Sequence, residues 1–114
     1  MIAVIFEVIP HEGKMENYLQ IAAELAVKLK EMDGFISVER FQSLSNPGKL
    51  LSLSFWRDEE SVAQWRNVEM HRNAQSVGRA TIFLDYRLRI ADVSRDYGKS
   101  SREQAPDDSR KNHG

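Results

Sequence analysis

The sequence predicts an α+β domain whose elements follow the order β-α-β-β-α-β. Three observations give this order. The run IAVIFEVI from Ile2 to Ile9 is apolar and rich in β-branched residues, which is typical of a buried strand. From about Gly13 to Met32, apolar residues recur at spacings of three and four, which indicates an amphipathic helix. The segment SNPG then separates two strand-like runs, as the turn of a hairpin does.

The first half of the chain divides clearly into elements. Pro10 ends the first strand, and Glu7 is the only charge within it. Gly34 stands where a left-handed cap is expected to end the first helix. The run FISVERFQSL, from Phe35 to Leu44, predicts the second strand. The run KLLSLSFWR alternates and predicts the third strand, with Leu51, Leu53 and Phe55 on one face and Ser52, Ser54 and Trp56 on the other.

A second helix and a last strand follow. Asp58 is a suitable N-cap, and the helical pattern continues to about Val77, with a break expected near Asn67. The run RATIFLDYRLRIADV, from Arg79 to Val93, predicts the fourth strand. Its residues divide into an apolar row of Ile82, Leu84, Tyr86, Leu88 and Ile90, and an opposite row of Phe83, Asp85, Arg87 and Arg89.

This element order predicts a ferredoxin-like fold, in which a four-stranded antiparallel sheet carries both helices on one face. The first and last strands are apolar on more than one face, so helices on one side would leave a large exposed apolar patch. A homodimer with its sheets packed face to face would cover it. We expect one domain over residues 1–98. Residues 99–114 are polar and predict a mobile tail.

Composition excludes several classes of function. The chain has 114 residues, a formal net charge of −1 and no cysteine. The charge balance gives no reason to expect nucleic acid or a membrane surface as a partner. The three histidines are scattered, so no metal site is expected, and no nucleotide-binding motif occurs. The amino-terminal run lacks the basic flank of a signal peptide, and we expect a cytoplasmic protein.

The second helix carries the residues best suited to chemistry. Asn67, His71 and Gln75 are spaced by four and would share one stripe of the helix. Trp65 precedes them, so an aromatic pocket with one proton-transfer group is a reasonable hypothesis. A lone histidine on a helix is more often solvated than catalytic, however, and a tryptophan is more often part of the core.

Glu7 is the second unusual residue, because a carboxylate within an apolar strand is costly to bury unless it is paired. Arg87 and Arg89 are its natural partners, since the first and last strands are neighbours in the predicted topology. A buried ion pair and a pocket carboxylate are both consistent with the sequence.

Four segments, in this order, give the chain a family resemblance over roughly Ile2 to Gly98. They are DGF after the first helix, LSFWRDEESVAQW, EMHRNAQ and YRLRIADVSRDYG. Together they resemble the antibiotic biosynthesis monooxygenase (ABM) family. The resemblance implies a dimeric α+β barrel whose members oxidise aromatic or quinol substrates with molecular oxygen, or bind and cleave haem.

The resemblance also implies roles for individual residues. The haem-degrading members use an Asn on the first strand, a Trp on the second helical region and a later His; here Glu7, Trp65 and Gln75 stand at those positions. The cofactor-free members fit better, with Trp65 and His71 as catalytic residues. Glu7, Asn67, Gln75 and Arg87 would then contact the substrate.

We therefore expect a cofactor-independent monooxygenase that acts on a small aromatic, quinol or polyketide-like molecule. Two alternatives stay open: a haem-degrading monooxygenase, and a non-enzymatic dimeric barrel that binds a small molecule or acts in stress.

Overall fold

The structure, a computed structural model, describes residues 1–75 and 82–113; for residues 69–75 and 111–113 it describes the backbone alone. The elements are β1 (Ile2–Pro10), α1 (Met15–Leu29), β2 (Phe35–Gln42), β3 (Leu50–Trp56), α2 (Glu59–Gln75), β4 (Phe83–Asp92) and α3 (Asp107–His113). The first six follow the predicted order.

The four strands form one antiparallel sheet in the order β2-β3-β1-β4. In the middle of the sheet, Phe6 of β1 lies opposite Ser52 of β3 and Leu88 of β4. The first and last strands are therefore neighbours, as expected. This topology confirms the predicted α+β, ferredoxin-like fold.

Two apolar clusters join the helices to the sheet. Directly opposite residues of antiparallel strands share a face, and the even-numbered residues of β1 face the helices. One cluster contains Val8, Tyr18, Ala22, Leu50 and Ile82. The other contains Ile2, Leu29, Trp56 and Val62. The core residues of α1 are spaced by four and seven, which places them on a single stripe of that helix.

A backbone hydrogen bond joins the turn after α1 to the residues just before α2. Gly34 has a φ of +85°, as expected of a left-handed residue at this position, and its carbonyl accepts a hydrogen bond from the Arg57 amide at 2.8 Å. Asp58 caps α2 as predicted, because its Oδ1 accepts bonds from the Ser61 amide at 2.8 Å and the Ser61 hydroxyl at 2.7 Å. The first turn of α2 is thereby fixed against the α1–β2 connection.

Two expectations about local structure are wrong. The helix α2 runs without interruption from Glu59 to Gln75, so there is no break near Asn67. Phe83 does not share a face with Arg87. The register shifts between Ile9 and Pro10, and this irregularity turns Phe83 to the helix side, where its ring lies 6.0 Å from that of Phe6.

The face of the sheet opposite α1 and α2 is called the open face. It is formed by the odd-numbered residues of β1 and their cross-strand neighbours. The apolar members are only partly covered; they include Ile5, Leu51, Leu53 and Phe55. Glu7 lies among them.

The polar carboxyl-terminal segment contains a short helix, α3, and a set of local hydrogen bonds. The Asp96 amide donates to Gln104 Oε1 at 2.7 Å, and Arg102 Nη2 donates to Ser109 Oγ at 2.9 Å. Ala105 is buried, with 6 % of its surface exposed. The mobility of this segment in solution stays a prediction.

Candidate functional site

A cleft of about 300 Å³ lies between the first half of α2 and the end of β4. Three charged and three apolar residues line it, and Ile90 is its floor on the sheet. It is lined by Glu59, Glu60, Val62, Ala63, Arg66 and Ile90. A concavity that combines apolar surface with a few polar groups can accept a small organic molecule.

The floor of the cleft belongs to an apolar row on β4. These residues lie opposite Val4, Phe6 and Val8 of β1 and so face the helix side of the sheet. They nevertheless stay largely uncovered: Ile90 is 43 % exposed, Leu88 50 % and Tyr86 61 %. The row was predicted from the sequence as one clean apolar face. In the structure Ile90 lines the cleft, Leu88 and Tyr86 continue the exposed apolar surface along the strand, and Leu84 falls at the register shift.

One stripe of α2 forms the facing wall. Glu59, Ala63 and Arg66 are spaced by four and three, so they lie on the same side of the helix. The helical period continues this line through the exposed Asn67 to positions 71 and 75. The predicted stripe of Asn67, His71 and Gln75 thus follows directly from a residue that lines the cleft. The side chains of His71 and Gln75 lie outside the described residues.

Charged side chains at the start of α2 attach this helix to the rest of the domain. Hydrogen bonds from the Ser61 hydroxyl and amide, followed by one from Arg57, lower the pKa of Asp58 to about 2. Arg57 also donates to both carboxylate oxygens of Asp33, at 3.2 and 3.0 Å, and this pair lowers the pKa of Asp33. These groups anchor the helix and do not line the cleft.

Trp65 lies on the core side of α2. Its ring stacks on that of Trp56, with centroids 6.3 Å apart and an angle of 30° between the planes. Trp56 is 1 % exposed, and its Nε1 donates to Ser54 Oγ at 2.9 Å. Trp65 is half-buried against the cluster around Trp56, so its contacts are those of a core residue.

Glu7 and Arg87 lie on the open face, across the sheet from α2. They are directly opposite each other in the β1–β4 register, yet the ion pair of Glu7 is made with Arg89 at 3.0 Å and Lys49 at 3.5 Å. The Arg89 bond lowers the pKa of Glu7 most, desolvation opposes it, and Lys49 lowers it further. Within one chain, these residues are therefore separated from Trp65 and from the cleft by the sheet.

This separation corrects the predicted grouping. The sequence suggested a single pocket that combined Glu7 and Arg87 with the residues of α2. Alternation along β1 and β4 puts the two groups on opposite faces instead. The expectation that Glu7 pairs with one of the two arginines is confirmed for Arg89.

Sequence reasoning missed the residues that line the cleft. None of the five α2 residues in its lining was among the predicted site residues. Two features of the sequence could have indicated the cleft. One side of α2 carries charged and small residues, and the last strand carries a row of apolar residues. Among the described residues, no group of three or more His, Cys, Asp or Glu side chains could hold a metal ion.

The sheet and helices define a ferredoxin-like α+β domain with a cleft between its second helix and its last strand. Residues 1–77 match the family model described as antibiotic biosynthesis monooxygenase. The chain belongs to the antibiotic biosynthesis monooxygenase (ABM) family.

The chain is similar in sequence to two named proteins. The chain is 48 % identical over 94 residues to a protein of Pyricularia oryzae named jasmonate monooxygenase ABM; the match covers 82 % of this chain and 44 % of that protein. It is 27 % identical over 93 residues to the uncharacterized protein YqjZ of Bacillus subtilis, covering 82 % and 79 % of the two chains. The chain thus spans less than half the length of the first relative.

Solved structures show the same fold. A Mycobacterium tuberculosis protein superimposes with a TM-score of 0.72 at 13 % identity, covering 85 % of this chain and 98 % of its own. A structure of MhuD with two manganese protoporphyrin IX groups per active site superimposes with a TM-score of 0.68 at 17 % identity, covering 86 % and 99 %. None of the helices in the described ranges has the length and apolar character needed to cross a bilayer.

Proposed function

We propose that this chain is a cofactor-independent monooxygenase that binds a small, mostly apolar molecule between α2 and β4. The observation that carries the proposal is the cleft itself: an apolar floor on β4, left open beneath a helix that leads towards His71. Family membership supports the class of reaction. The name of the Pyricularia relative supports a monooxygenase but leaves the substrate of this chain open.

Electron counting restricts the reaction. Reducing both atoms of O₂ to the level of water takes four electrons, and without a cofactor the substrate must supply all of them. Conversion of an activated CH₂ group to a carbonyl does so: one oxygen atom enters the substrate, and the other leaves as water with the two hydrogens. We expect a substrate whose CH₂ group lies beside a ring or carbonyl, as in an anthrone. A quinol meets the same count only if one ring C–H is also oxygenated, which gives a hydroxyquinone and water.

The protein would first have to remove a proton from this group, because the resulting anion gives an electron to oxygen more readily. His71 is the proposed base, since an imidazole exchanges protons near neutral pH. Asn67 and Gln75, on the same line of α2, are proposed to hydrogen-bond the substrate. Trp65 would act indirectly in this scheme, by holding α2 against Trp56.

Haem cleavage is less well supported. The resemblance places Glu7 and Gln75 where the haem-degrading members have Asn and His. In addition, Glu7 is on the open face, while Trp65 is on the helix side. The described residues therefore do not assemble the haem-degrading trio in one cleft. We predict weak or no binding in a spectroscopic haem titration; a tight, stoichiometric Soret shift, lost on adding reductant and oxygen, would contradict this.

Members of the family are generally dimeric, and we propose that two copies of this chain pack their open sheet faces together. The partly covered apolar residues of that face support this arrangement; Leu53 lies near their centre. Sedimentation should show a dimer that Leu53→Glu converts to a monomer. A wild-type monomer at micromolar concentration would contradict it. A cytoplasmic location stays a prediction.

The test of the reaction is oxygen uptake with anthrone, corrected for the rate without protein. We expect one O₂ consumed for each anthraquinone formed, and a loss of about 10²–10⁴-fold in His71→Ala if His71 is the base. His11→Ala is the matched control, because His11 is exposed in the loop after β1. Binding of anthrone without oxygen uptake would favour the non-enzymatic alternative.

A further inference from the structure

The guanidinium of Arg66 is the unpaired cation of the cleft. Arg57 and Arg89 each bind a carboxylate of the protein, whereas Arg66 makes no ion pair or hydrogen bond with any described residue. It projects from the same stripe of α2 as Ala63, beside the apolar surface of Ile90. A free guanidinium next to an apolar surface matches a ligand with an apolar body and an anionic end.

Glu59 and Glu60 also line the cleft, and they oppose an anion. They precede Arg66 by seven and six residues, which is about 10 and 9 Å along the helix axis at 1.5 Å per residue. That separation is comparable with the Debye length of about 8 Å at physiological salt. An anion in direct contact with Arg66 therefore gains a hydrogen-bonded ion pair, while its repulsion from the glutamates is largely screened.

From this arrangement we propose that the ligand of the cleft is an apolar carboxylic acid whose carboxylate pairs with Arg66. The ring or chain of the acid lies on Val62, Ala63 and Ile90, and the reacting carbon points along α2 towards position 71. The orientation of the reacting carbon rests on the proposed function. The pairing of the carboxylate with Arg66 does not depend on it. The inference adds the charge of the substrate and the residue that selects it.

The experiment compares each acid with its neutral methyl ester. The probes are jasmonic acid and 2-naphthoic acid, each beside its own ester, titrated into the full chain by calorimetry at low and at physiological salt. We expect each acid to bind about two- to fivefold more tightly than its ester, as for a solvent-accessible ion pair, and the difference to shrink with salt. Arg66→Gln should abolish the difference and leave ester binding unchanged.

Two further variants test the direction of the effect. Arg95→Gln is the matched control, because Arg95 is also exposed and without a described partner, but it lies outside the cleft. It should leave both affinities unchanged. The double variant Glu59→Gln/Glu60→Gln should tighten acid binding and not ester binding, since it removes the repulsion.

Equal affinities of acid and ester, an Arg66→Gln protein that still prefers the acid, or no binding of either acid would each overturn the proposal. Oxygen uptake separates this failure from that of the proposed reaction. If the protein oxidises anthrone but binds acid and ester equally, the proposed reaction stands and the proposed carboxylate pairing with Arg66 is wrong. If the protein binds the acids more tightly but consumes no oxygen, the carboxylate pairing stands and the proposed reaction is wrong.

Discussion

Replacing Gly34 with alanine tests how α2 is fixed to the rest of the domain. A Cβ atom at Gly34 would lie 2.6 Å from Ser61 Cβ and closer still to its Oγ, and Ser61 is only 2 % exposed. Gly13 has a similar positive φ, +79° against +85°, but a Cβ there would meet nothing within 4 Å. Gly13→Ala therefore carries the conformational cost without the clash.

The magnitudes separate the two variants. A left-handed alanine costs about 1–2 kcal/mol, partly offset by about 0.4–1 kcal/mol of lost freedom in the unfolded chain. Both variants share these terms. Overpacking against Ser61 adds about 1–3 kcal/mol to Gly34→Ala alone. We expect Gly34→Ala to be less stable than Gly13→Ala by that amount, which corresponds to about 4–8 °C in Tm for each kcal/mol.

Urea unfolding followed by tryptophan fluorescence measures the difference, since Trp65 is part of α2 and packs on the buried Trp56. Ser61→Gly in the Gly34→Ala background removes the clashing atoms. The double variant should thus be more stable than the sum of the single changes predicts. Equal stability of Gly34→Ala and Gly13→Ala, or additivity in the double variant, would refute the steric argument.

Three further predictions concern contacts of the fold. Ser54→Ala leaves the buried Trp56 Nε1 without an acceptor and should lower the free energy of unfolding, measured in urea melts, by about 1–3 kcal/mol. The control Ser52→Ala breaks no such bond and should lose less stability; equal losses would contradict the prediction. The pKa of Asp58 falls from 3.8 to about 2 on folding, so its ionised form stabilises the protein above about pH 4, and this stability is lost as the pH falls towards 2. Asp58→Asn keeps the cap acceptor without the charge and should flatten the pH dependence in that window; an unchanged slope would argue against the assignment. In double-mutant cycles, Glu7→Gln should couple more strongly to Arg89→Gln than to Arg87→Gln, and the reverse order would contradict the observed pairing.

Local patterns were sufficient for most of the fold. In β3 the alternation of Leu51 and Leu53 with Ser52 and Ser54 is regular, and each residue lies on its predicted face. The turn glycine and the cap of α2 were also predictable, because both follow from local backbone chemistry. Phe83 was not, since its face depends on a register shift against Pro10 of a distant strand.

The candidate site was only partly predictable for the same reason. The pairing of Glu7 with an arginine of the last strand follows from topology, but the choice of Arg89 and the face on which it lies depend on register. The cleft could not be read from α2 alone. In the sequence, Glu59, Ala63 and Arg66 of α2 are typical of a solvated helix surface. Only the structure shows that Ile90 of β4 lies next to them.

The position of the site is tested most directly by filling the cleft. Ala63→Trp places an indole between α2 and Ile90, whereas Ala23→Trp places one on the exposed side of α1. The measurement is anthrone-dependent oxygen uptake by both variants, with urea melts to confirm that each is folded. We predict that Ala63→Trp loses uptake and that Ala23→Trp matches the wild type. A folded Ala63→Trp protein with wild-type oxygen uptake would contradict the assignment of the site to this cleft.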